Sequence, residues 1–282
     1  MPCVTLTFCD CAENHVGMEQ IGTKSKKGYS LEDLNSAEAF FISKGKKVER
    51  INLNNYIHIK DDSGDMSKII AKILSKKLKP DSGIKDNYPS GYKYNGPRAE
   101  LLIIRGALNN EESQLLFEEL TALEWDRKYW DTRRSKVLNK HARANLCFSK
   151  VGKKADYENK LGTIVSYDSL PELSKLKQMV GDSIPDDEEL ECEGNLYDNV
   201  KKNGIGWHGD AERRKVQGVR VGESMPLCFR WYFQGNRVGA QFSTMLNKGD
   251  LYIMSDKAVG YDWKRRTIPT LRHSAGADKY TN

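Results

Sequence analysis

The sequence predicts an α+β protein with a strand-rich C-terminal part, and three observations support this class. Helical patterns, in which apolar residues recur every three or four positions, lie mainly before residue 190. After residue 190, short apolar segments alternate with turns that contain Gly, Asn or Pro. The chain has 282 residues, 38% of them hydrophobic, which suffices for one large core or two smaller ones. Helices followed by many short strands indicate a barrel or sandwich at the C-terminal end.

Residues 1–90 are predicted to form an N-terminal α/β extension of unknown role. It opens with the alternating strand pattern "VTLTF". Ser30 is placed to cap a helix, and Asp33 is the acid of a weaker capping box. Helical spacing predicts a second helix over residues 66–78. The stretch 84–100, rich in Gly, Pro, Asn and Tyr, predicts a linker or an ordered loop.

Residues 91–282 are predicted to form the second unit. Residues 99–108 read as a buried strand, and residues 109–125 as an amphipathic helix capped by Asn109 or Asn110. Five further strand patterns follow residue 190, and this end of the chain is expected to hold the barrel or sandwich.

Charge and composition restrict the partners and the compartment. The formal net charge is +6, which permits an anionic partner such as nucleic acid without requiring one. The run 127–136 interleaves basic and aromatic residues, as surfaces that bind single-stranded nucleic acid do, although a solvated face is the commoner meaning. No segment approaches the roughly 18 apolar residues of a membrane span. The absence of a secretory signal and six sparse cysteines predict an intracellular protein with reduced thiols.

The stretch "GIGWHGDAERR" places His208 two residues before Asp210, and His273 is the only histidine downstream. Two histidines and one carboxylate form the facial triad of non-haem Fe(II) oxygenases, which leaves coordination positions open for other ligands. The HxD pattern alone arises often by chance, and a polar loop with a chance histidine is the alternative. The distal histidine strengthens the interpretation as a metal site, and the sequence around these residues strengthens it further.

Two flanking features extend the HxD and the distal histidine into a series of motifs with a defined order along the chain. Asn195 and Tyr197 lie on the predicted strand before the HxD, and Gly249-Asp250 lies ahead of the strand that leads towards the distal histidine. With this order, residues 99–282 resemble the AlkB-like branch of the Fe(II)/2-oxoglutarate dioxygenases. The resemblance implies a double-stranded β-helix, or jelly-roll, core flanked by helices.

The same resemblance implies roles for individual residues. His208, Asp210 and His273 would bind Fe(II) and form the catalytic centre. Asn195 and Tyr197 would contact the cosubstrate 2-oxoglutarate.

The sequence departs from the family at the cosubstrate carboxylate. The family carries an arginine on the strand after the distal histidine, and no arginine follows His273 here. Lys279 is the only cation in that place and is the predicted partner of the carboxylate. Arg220 and Arg230 are alternatives, although an outward position on a strand is the simpler explanation for each.

Five residues are predicted as substrate contacts. Arg143 and Asn145 lie where the family has a substrate-facing strand. Arg213 follows the HxD and is expected to steer an anionic substrate. Tyr261 and Trp263 lie in a long segment before the distal histidine, which is predicted to be a lid or, equally, an ordinary surface loop.

The resemblance implies a dioxygenase that hydroxylates or oxidatively demethylates its substrate, with a nucleobase as one candidate. A protein or small-molecule hydroxylase is also compatible, because fold does not fix function. A different class, motivated by the missing arginine, is a nucleic-acid-binding protein on an oxygenase scaffold without catalysis. A further hypothesis treats residues 1–90 as an interaction module that selects the partner.

Overall fold

A computed structural model describes residues 2–57, 94, 96–185 and 189–282. Within them the protein is mixed α+β and rich in strands, as predicted. The strands are β1 (Cys3–Cys9), β2 (Cys11–Glu13), β3 (Gln20–Gly22), β4 (Lys47–Asn52), β5 (Glu100–Arg105), β6 (Lys128–Asp131), β7 (Lys136–Asn139), β8 (Ala144–Ser149), β9 (Ile164–Ser166), β10 (Glu191–Tyr197), β11 (Gly204–His208), β12 (Val216–Gly222), β13 (Met225–Phe233), β14 (Asn236–Leu246), β15 (Leu251–Met254) and β16 (Thr270–Gly276). The α-helices are α1 (Leu31–Ser43), α2 (Asn110–Thr121), α3 (Pro171–Ser183), α4 (Asp256–Val259) and α5 (Asp278–Thr281).

Two sheets form the centre of the described fold. The larger has eight strands in the order β4-β5-β15-β12-β1-β10-β8-β9, antiparallel except for the β8–β9 pair. The smaller has four antiparallel strands in the order β11-β16-β13-β14. One apolar cluster lies between the larger sheet and helices α1, α2 and α3, and a second lies between the two sheets. Both faces of the larger sheet are therefore covered.

Strand β1 lies in the middle of the larger sheet, with β10 on one side and β12 on the other. Its side chains alternate between the two faces, as they do in any strand. Val4, Leu6 and Phe8 are fully buried in the cluster below the helices. Thr5 and Thr7 point towards the smaller sheet. The described part of the predicted N-terminal extension thus belongs to the main sheet.

The predicted division near residue 90 lies outside the described residues, as do the helix predicted over residues 66–78 and most of the linker predicted over residues 84–100. On either side of this gap the chain shares one core. Strand β4, before the gap, pairs with β5, after it, and α1 packs against α3. An independent module is therefore not visible in the described residues before the gap.

Helices begin where local signals predict. The Ser30 hydroxyl accepts the Asp33 N–H, and the Asp33 carboxylate accepts the Ser30 N–H at 2.7 Å, which completes a capping box. Asn109 and Glu112 form the same arrangement at the start of α2. Helix α3 begins at Pro171, whose missing N–H is not needed in a first turn. No helix in the described part of the chain is long and apolar enough to cross a bilayer.

The Gly249-Asp250 pair forms a tight turn before β15. Gly249 has a φ of +83°, and a Cβ there would lie 2.4 Å from the Leu108 carbonyl oxygen. The buried Asp250 carboxylate accepts the Gly106 N–H at 2.9 Å and the Arg105 Nη1 at 2.8 Å. The pair therefore fixes the entry into β15 through local backbone geometry and a buried ion pair.

Candidate metal centre

His208 and His273 are direct neighbours across two strands of the smaller sheet. His208 ends β11, and its antiparallel partner on β16 is His273. The register shifts between Ile205 and His208, and such an irregularity can re-aim a side chain. Asp210 follows β11 immediately. Strand pairing thus brings together residues that are far apart in the sequence.

The three side chains point at a common centre, and we call His208, Asp210 and His273 the triad. The Nε2 atoms of both histidines lie 3.5 Å from Oδ1 of Asp210, and one ligand atom from each residue lies within 4.8 Å of the others. The two imidazole rings are 4.4 Å apart between centroids. Among the residues that the structure describes, this is the one such cluster of histidine, cysteine and acidic side chains.

The surroundings keep His208 and Asp210 in the ionisation states that metal ligands require. Burial and His273 lower the pKa of His208 to about 4, so its imidazole is neutral at neutral pH. His208 Nδ1 lies 2.7 Å from the Gly206 carbonyl oxygen, which is its acceptor when Nδ1 carries the proton, and Nε2 then has a free lone pair. Burial opposes ionisation of Asp210, but His273 and Arg213 hold the pKa of this carboxyl well below its usual value.

The segment after β15 packs directly on the backbone between His208 and Asp210. A Cβ at Gly209 would lie 2.2 Å from the Gly260 carbonyl oxygen and 2.8 Å from the Trp263 Cβ. The Asp210 N–H donates to the Val259 carbonyl oxygen at 3.1 Å. Only glycine permits this close approach, so the HxD needs glycine at its middle position here.

The triad opens onto a cavity between the inner faces of the two sheets. Asn195 and Tyr197 of β10, which the sequence predicted as cosubstrate contacts, line this cavity together with the triad. Thr5 and Thr7 of β1 line it as well. No signal in the sequence pointed to these threonines, because only long-range strand pairing brings β1 to the site.

Arg143 and Asn145, predicted as substrate contacts, hold Asn195 instead. Oδ1 of Asn195 accepts from the Arg143 Nε at 2.6 Å and from the Asn145 Nδ2 at 2.7 Å. The Asn195 Nδ2 donates to the Glu193 carboxylate at 3.0 Å. These bonds fix the orientation of the Asn195 amide in the cavity wall.

Arg213, also predicted as a substrate contact, is buried and neutralised within the protein. Its Nη2 donates to the Glu193 carboxylate at 2.5 Å and to the Glu212 carboxylate at 2.8 Å. Its Nε lies 3.9 Å from Oδ2 of Asp210. Burial favours the neutral acid, but Arg213 holds the pKa of Glu193 below its usual value. Arg213 is thus placed to keep Asp210 ionised rather than to meet a substrate.

Lys279 does not reach the cavity, contrary to the expectation from the sequence. It lies on the short helix α5, is exposed, and packs over the Tyr280 ring at 4.9 Å. The chain after β16 turns into this helix and forms no further strand of the larger sheet. The position between β10 and β12 is taken by β1.

Arg220 and Arg230 have opposite orientations. Arg230 lies on the outer face of the smaller sheet, as the simpler explanation expects. The outward expectation fails for Arg220, which is 1% exposed and lines the cavity. Val219 and Val221 on the same strand face the helices, so alternation turns Arg220 towards the smaller sheet.

Tyr261 and Trp263 lie beside the site but contact arginines of the protein. The Arg214 guanidinium carbon lies 3.6 Å from the Tyr261 ring centroid, and Arg214 Nη2 is paired with Asp256 at 2.6 Å. The Arg272 guanidinium carbon lies 5.1 Å from the Trp263 ring centroid. Trp263 therefore connects the segment above the triad to the outer face of the smaller sheet.

That outer face carries arginines and aromatic rings in alternation. We call it the arginine–aromatic face, formed by Trp207, Arg230, Tyr232, Trp263 and Arg272. Arg272 lies 4.1 Å from the Tyr232 ring, and Arg230 lies 5.7 Å from the Trp207 ring. The Nε atoms of Arg230 and Arg272 have no hydrogen-bond partner, and neither guanidinium forms an ion pair with any carboxylate in the described part of the chain.

Comparison with known proteins gives one informative relative. No protein-family model matches the sequence. The chain is 39% identical over 278 residues to a protein of Acanthamoeba polyphaga mimivirus described as uncharacterized protein R156. The aligned region covers 98% of this chain and 96% of the viral protein. The similarity thus extends over nearly the full length of both proteins.

Proposed function

Because the chain belongs to the family of this mimivirus protein, whose name assigns no activity, we propose its function from the site: it is an Fe(II)- and 2-oxoglutarate-dependent dioxygenase. The observation that carries the proposal is the convergence of one nitrogen from each imidazole and one carboxylate oxygen within 4.8 Å of one another, with both Nε2 atoms 3.5 Å from Oδ1 of Asp210. This donor set suits non-haem Fe(II). Neutral imidazole and an ionised carboxyl at neutral pH also fit.

The winding of the chain supports the same proposal at the level of the fold. From β10 to β16 the chain passes repeatedly between the larger and the smaller sheet, with β10, β12 and β15 in the larger one. We infer a double-stranded β-helix whose last place in the larger sheet, between β10 and β12, is filled by β1. This arrangement explains why the chain after β16 supplies no strand of its own.

Each residue of the site has a role under this proposal. Bound iron and 2-oxoglutarate would supply oxidising power, since decarboxylation of the cosubstrate by dioxygen yields succinate and CO2 and drives oxidation of a substrate C–H bond. The triad would hold the metal through His208 Nε2, His273 Nε2 and the Asp210 carboxylate. Arg213 keeps Asp210 anionic, and Asn195 and Tyr197 would contact the cosubstrate from β10.

The direct test is Fe(II)-dependent turnover of 2-oxoglutarate. Protein purified without metal and then supplied with Fe(II), ascorbate and 2-oxoglutarate should form succinate, with the rate rising when an accepted substrate is added. Because the substrate is unassigned, a panel of nucleic acids, peptides and small molecules is part of the experiment. Wild-type protein that binds no divalent metal and forms no succinate across the panel would contradict the proposal.

For the substrate, we propose single-stranded nucleic acid, and the arginine–aromatic face supports this class. Half-buried guanidinium groups without carboxylate partners, such as those of Arg230 and Arg272, attract phosphates, and half-buried indole rings offer stacking surfaces for bases. Trp263 joins this face to the segment that packs on Gly209, between two triad residues. A strand bound on the face would therefore lie beside the entrance to the site.

This substrate class predicts a salt-dependent interaction through the face. The double variant Arg230→Met/Arg272→Met should bind single-stranded DNA and RNA oligonucleotides at least about 10-fold more weakly than wild type at low salt. The slope of log affinity against log salt should fall by up to about two. Fluorescence anisotropy measures both quantities. Arg133→Met/Arg134→Met, on the exposed turn between β6 and β7, tests the competing basic and aromatic run 127–136 and should change the affinity less than the face variant does. Equal or greater loss in this second variant would contradict the assignment of binding to the arginine–aromatic face.

A further inference from the structure

Arg220 is a fully buried cation in the wall of the cavity that holds the triad. It lies on β12, and its partner in the register is Thr5 of β1. Thr5, Tyr197 and Tyr252 line the same cavity. The Tyr252 ring lies over Gly218, where a Cβ would come within 2.0 Å of a ring carbon. The glycine two residues before Arg220 thus leaves space for a hydroxyl-bearing ring beside the guanidinium.

The guanidinium of Arg220 has almost no compensation within the described protein. Its Nη1 donates to the Cys3 Sγ at 3.4 Å, and its Nε has no hydrogen-bond partner. No carboxylate of the described residues forms an ion pair with it. Arg213, on the wall of the same cavity, shows the usual arrangement, since Glu193 and Glu212 neutralise it. Arg220 is the exception.

A buried charge without a counter-ion is costly to keep, whereas a carboxylate placed against it gains a charge-assisted hydrogen bond. The other cavity cation is already neutralised, and Lys279 is exposed on α5. Tyr197 and Tyr252 are neutral at neutral pH, since burial raises the pKa of both phenols, that of Tyr252 to about 12. The two phenols therefore make the cavity wall polar, but they carry no negative charge that would compete with a ligand carboxylate for the guanidinium.

We propose that Arg220 binds the distal carboxylate of a dicarboxylic 2-oxo acid whose 2-oxo acid end reaches the metal at the triad. The proposal rests on the proposed function and adds to it the group that selects a dicarboxylate. The residue that binds the distal carboxylate therefore lies on β12, the strand next to β1, and not in the chain after His273. Strand β1 contributes Thr5 to the same wall, so the first strand of the chain is part of the cosubstrate site.

Ligand selectivity tests the proposal without measuring turnover. Mn(II)-loaded protein is titrated calorimetrically with 2-oxoglutarate and with 2-oxopentanoate, which has the same number of carbons and no distal carboxylate. Wild type should bind 2-oxoglutarate about 10- to 100-fold more tightly, the range expected for one hydrogen bond to a charged group. Arg220→Met should bind both ligands equally and weakly. Arg134→Met, an exposed arginine on the turn between β6 and β7, should keep the wild-type preference.

Stability of the ligand-free protein separates an anchor from a structural arginine. Arg220→Met removes an uncompensated buried charge and should raise the melting temperature by about 2–4 °C, while 2-oxoglutarate no longer stabilises the variant. A lower melting temperature in a variant that still prefers 2-oxoglutarate would overturn the proposal.

The outcomes also separate this proposal from the function on which it rests. If wild type binds Mn(II) at the triad but does not distinguish the two ligands, the Arg220 anchor is wrong and the metal site stands. If wild type binds no Mn(II), the dioxygenase proposal fails first. A variant that does not fold leaves the wild-type preference as the deciding measurement.

Discussion

His208→Ala should abolish Fe(II)-dependent succinate formation and weaken Mn(II) binding by more than about 100-fold. Residues that merely orient a metal ligand typically contribute 10- to 100-fold to metal affinity, so the loss of a ligand should exceed that range. The reason lies in the geometry, since His208 Nε2 and His273 Nε2 share the Asp210 carboxylate at 3.5 Å each. Removing one imidazole leaves two donors, too few for the facial arrangement. Calorimetric titration with Mn(II) measures the affinity, and succinate formation measures the activity.

His141→Ala is the matched control for this substitution. His141 is exposed and lies outside the triad. Its replacement should leave both metal affinity and succinate formation within about twofold of wild type, since surface substitutions have small effects. Circular dichroism should show that both variants are folded. Metal affinity that is unchanged in His208→Ala would exclude the triad as the metal site.

Phe8→Ala should lower the free energy of unfolding by about 3–5 kcal/mol, the range measured when a buried phenylalanine is truncated. Phe8 is 0% exposed and packs in the cluster between the larger sheet and the helices. It lies on β1, whose neighbours β10 and β12 carry cavity residues. Urea denaturation followed by tryptophan fluorescence measures the change.

The hypothesis that residues 1–90 form a separable interaction module makes the opposite prediction for this variant. A mutation in a separable module would leave the unfolding of the rest of the protein unchanged. Val16→Ala, at a residue that is 80% exposed, is the control and should change the free energy of unfolding by less than about 0.5 kcal/mol. If the unfolding curve of Phe8→Ala showed two transitions, one of them with the wild-type midpoint, this result would support the separable module.

Local signals in the sequence located several elements because their causes are local. The capping boxes at Ser30 and Asn109 act over three residues, and both helices begin there. The convergence of His208, Asp210 and His273 was also predictable, because a metal site requires particular residue types and few histidines were available. Its two histidines are strand neighbours, which the sequence suggested only through a distant second histidine.

The position of β1 was not predictable from local patterns. "VTLTF" identifies a strand, but pairing with β10 and β12 depends on contacts across about 180 to 220 residues. The error on Lys279 has the same origin, because the expected strand after β16 is replaced by one from the other end of the described chain. Long-range strand order carries no signature in a single sequence.

The orientation of Arg220 was misjudged for a different physical reason. Alternation along "VQGVRVG" turns Val219 and Val221 to one face and Arg220 to the other. The outward interpretation assumed that this other face meets water, as it does in many antiparallel sheets. Here the smaller sheet covers it, so Arg220 is buried. Which faces of a sheet are covered depends on the whole fold.

The most direct test of the metal centre is the anomalous scattering of Mn(II) in a crystal of the protein soaked with Mn(II) and N-oxalylglycine, an unreactive analogue of 2-oxoglutarate. One strong anomalous peak is expected within coordinating distance of His208 Nε2, His273 Nε2 and the Asp210 carboxylate. Coordinating distances to these oxygen and nitrogen ligands are about 2.0–2.3 Å. A strong peak elsewhere, with none between these three side chains, would contradict the proposed metal centre.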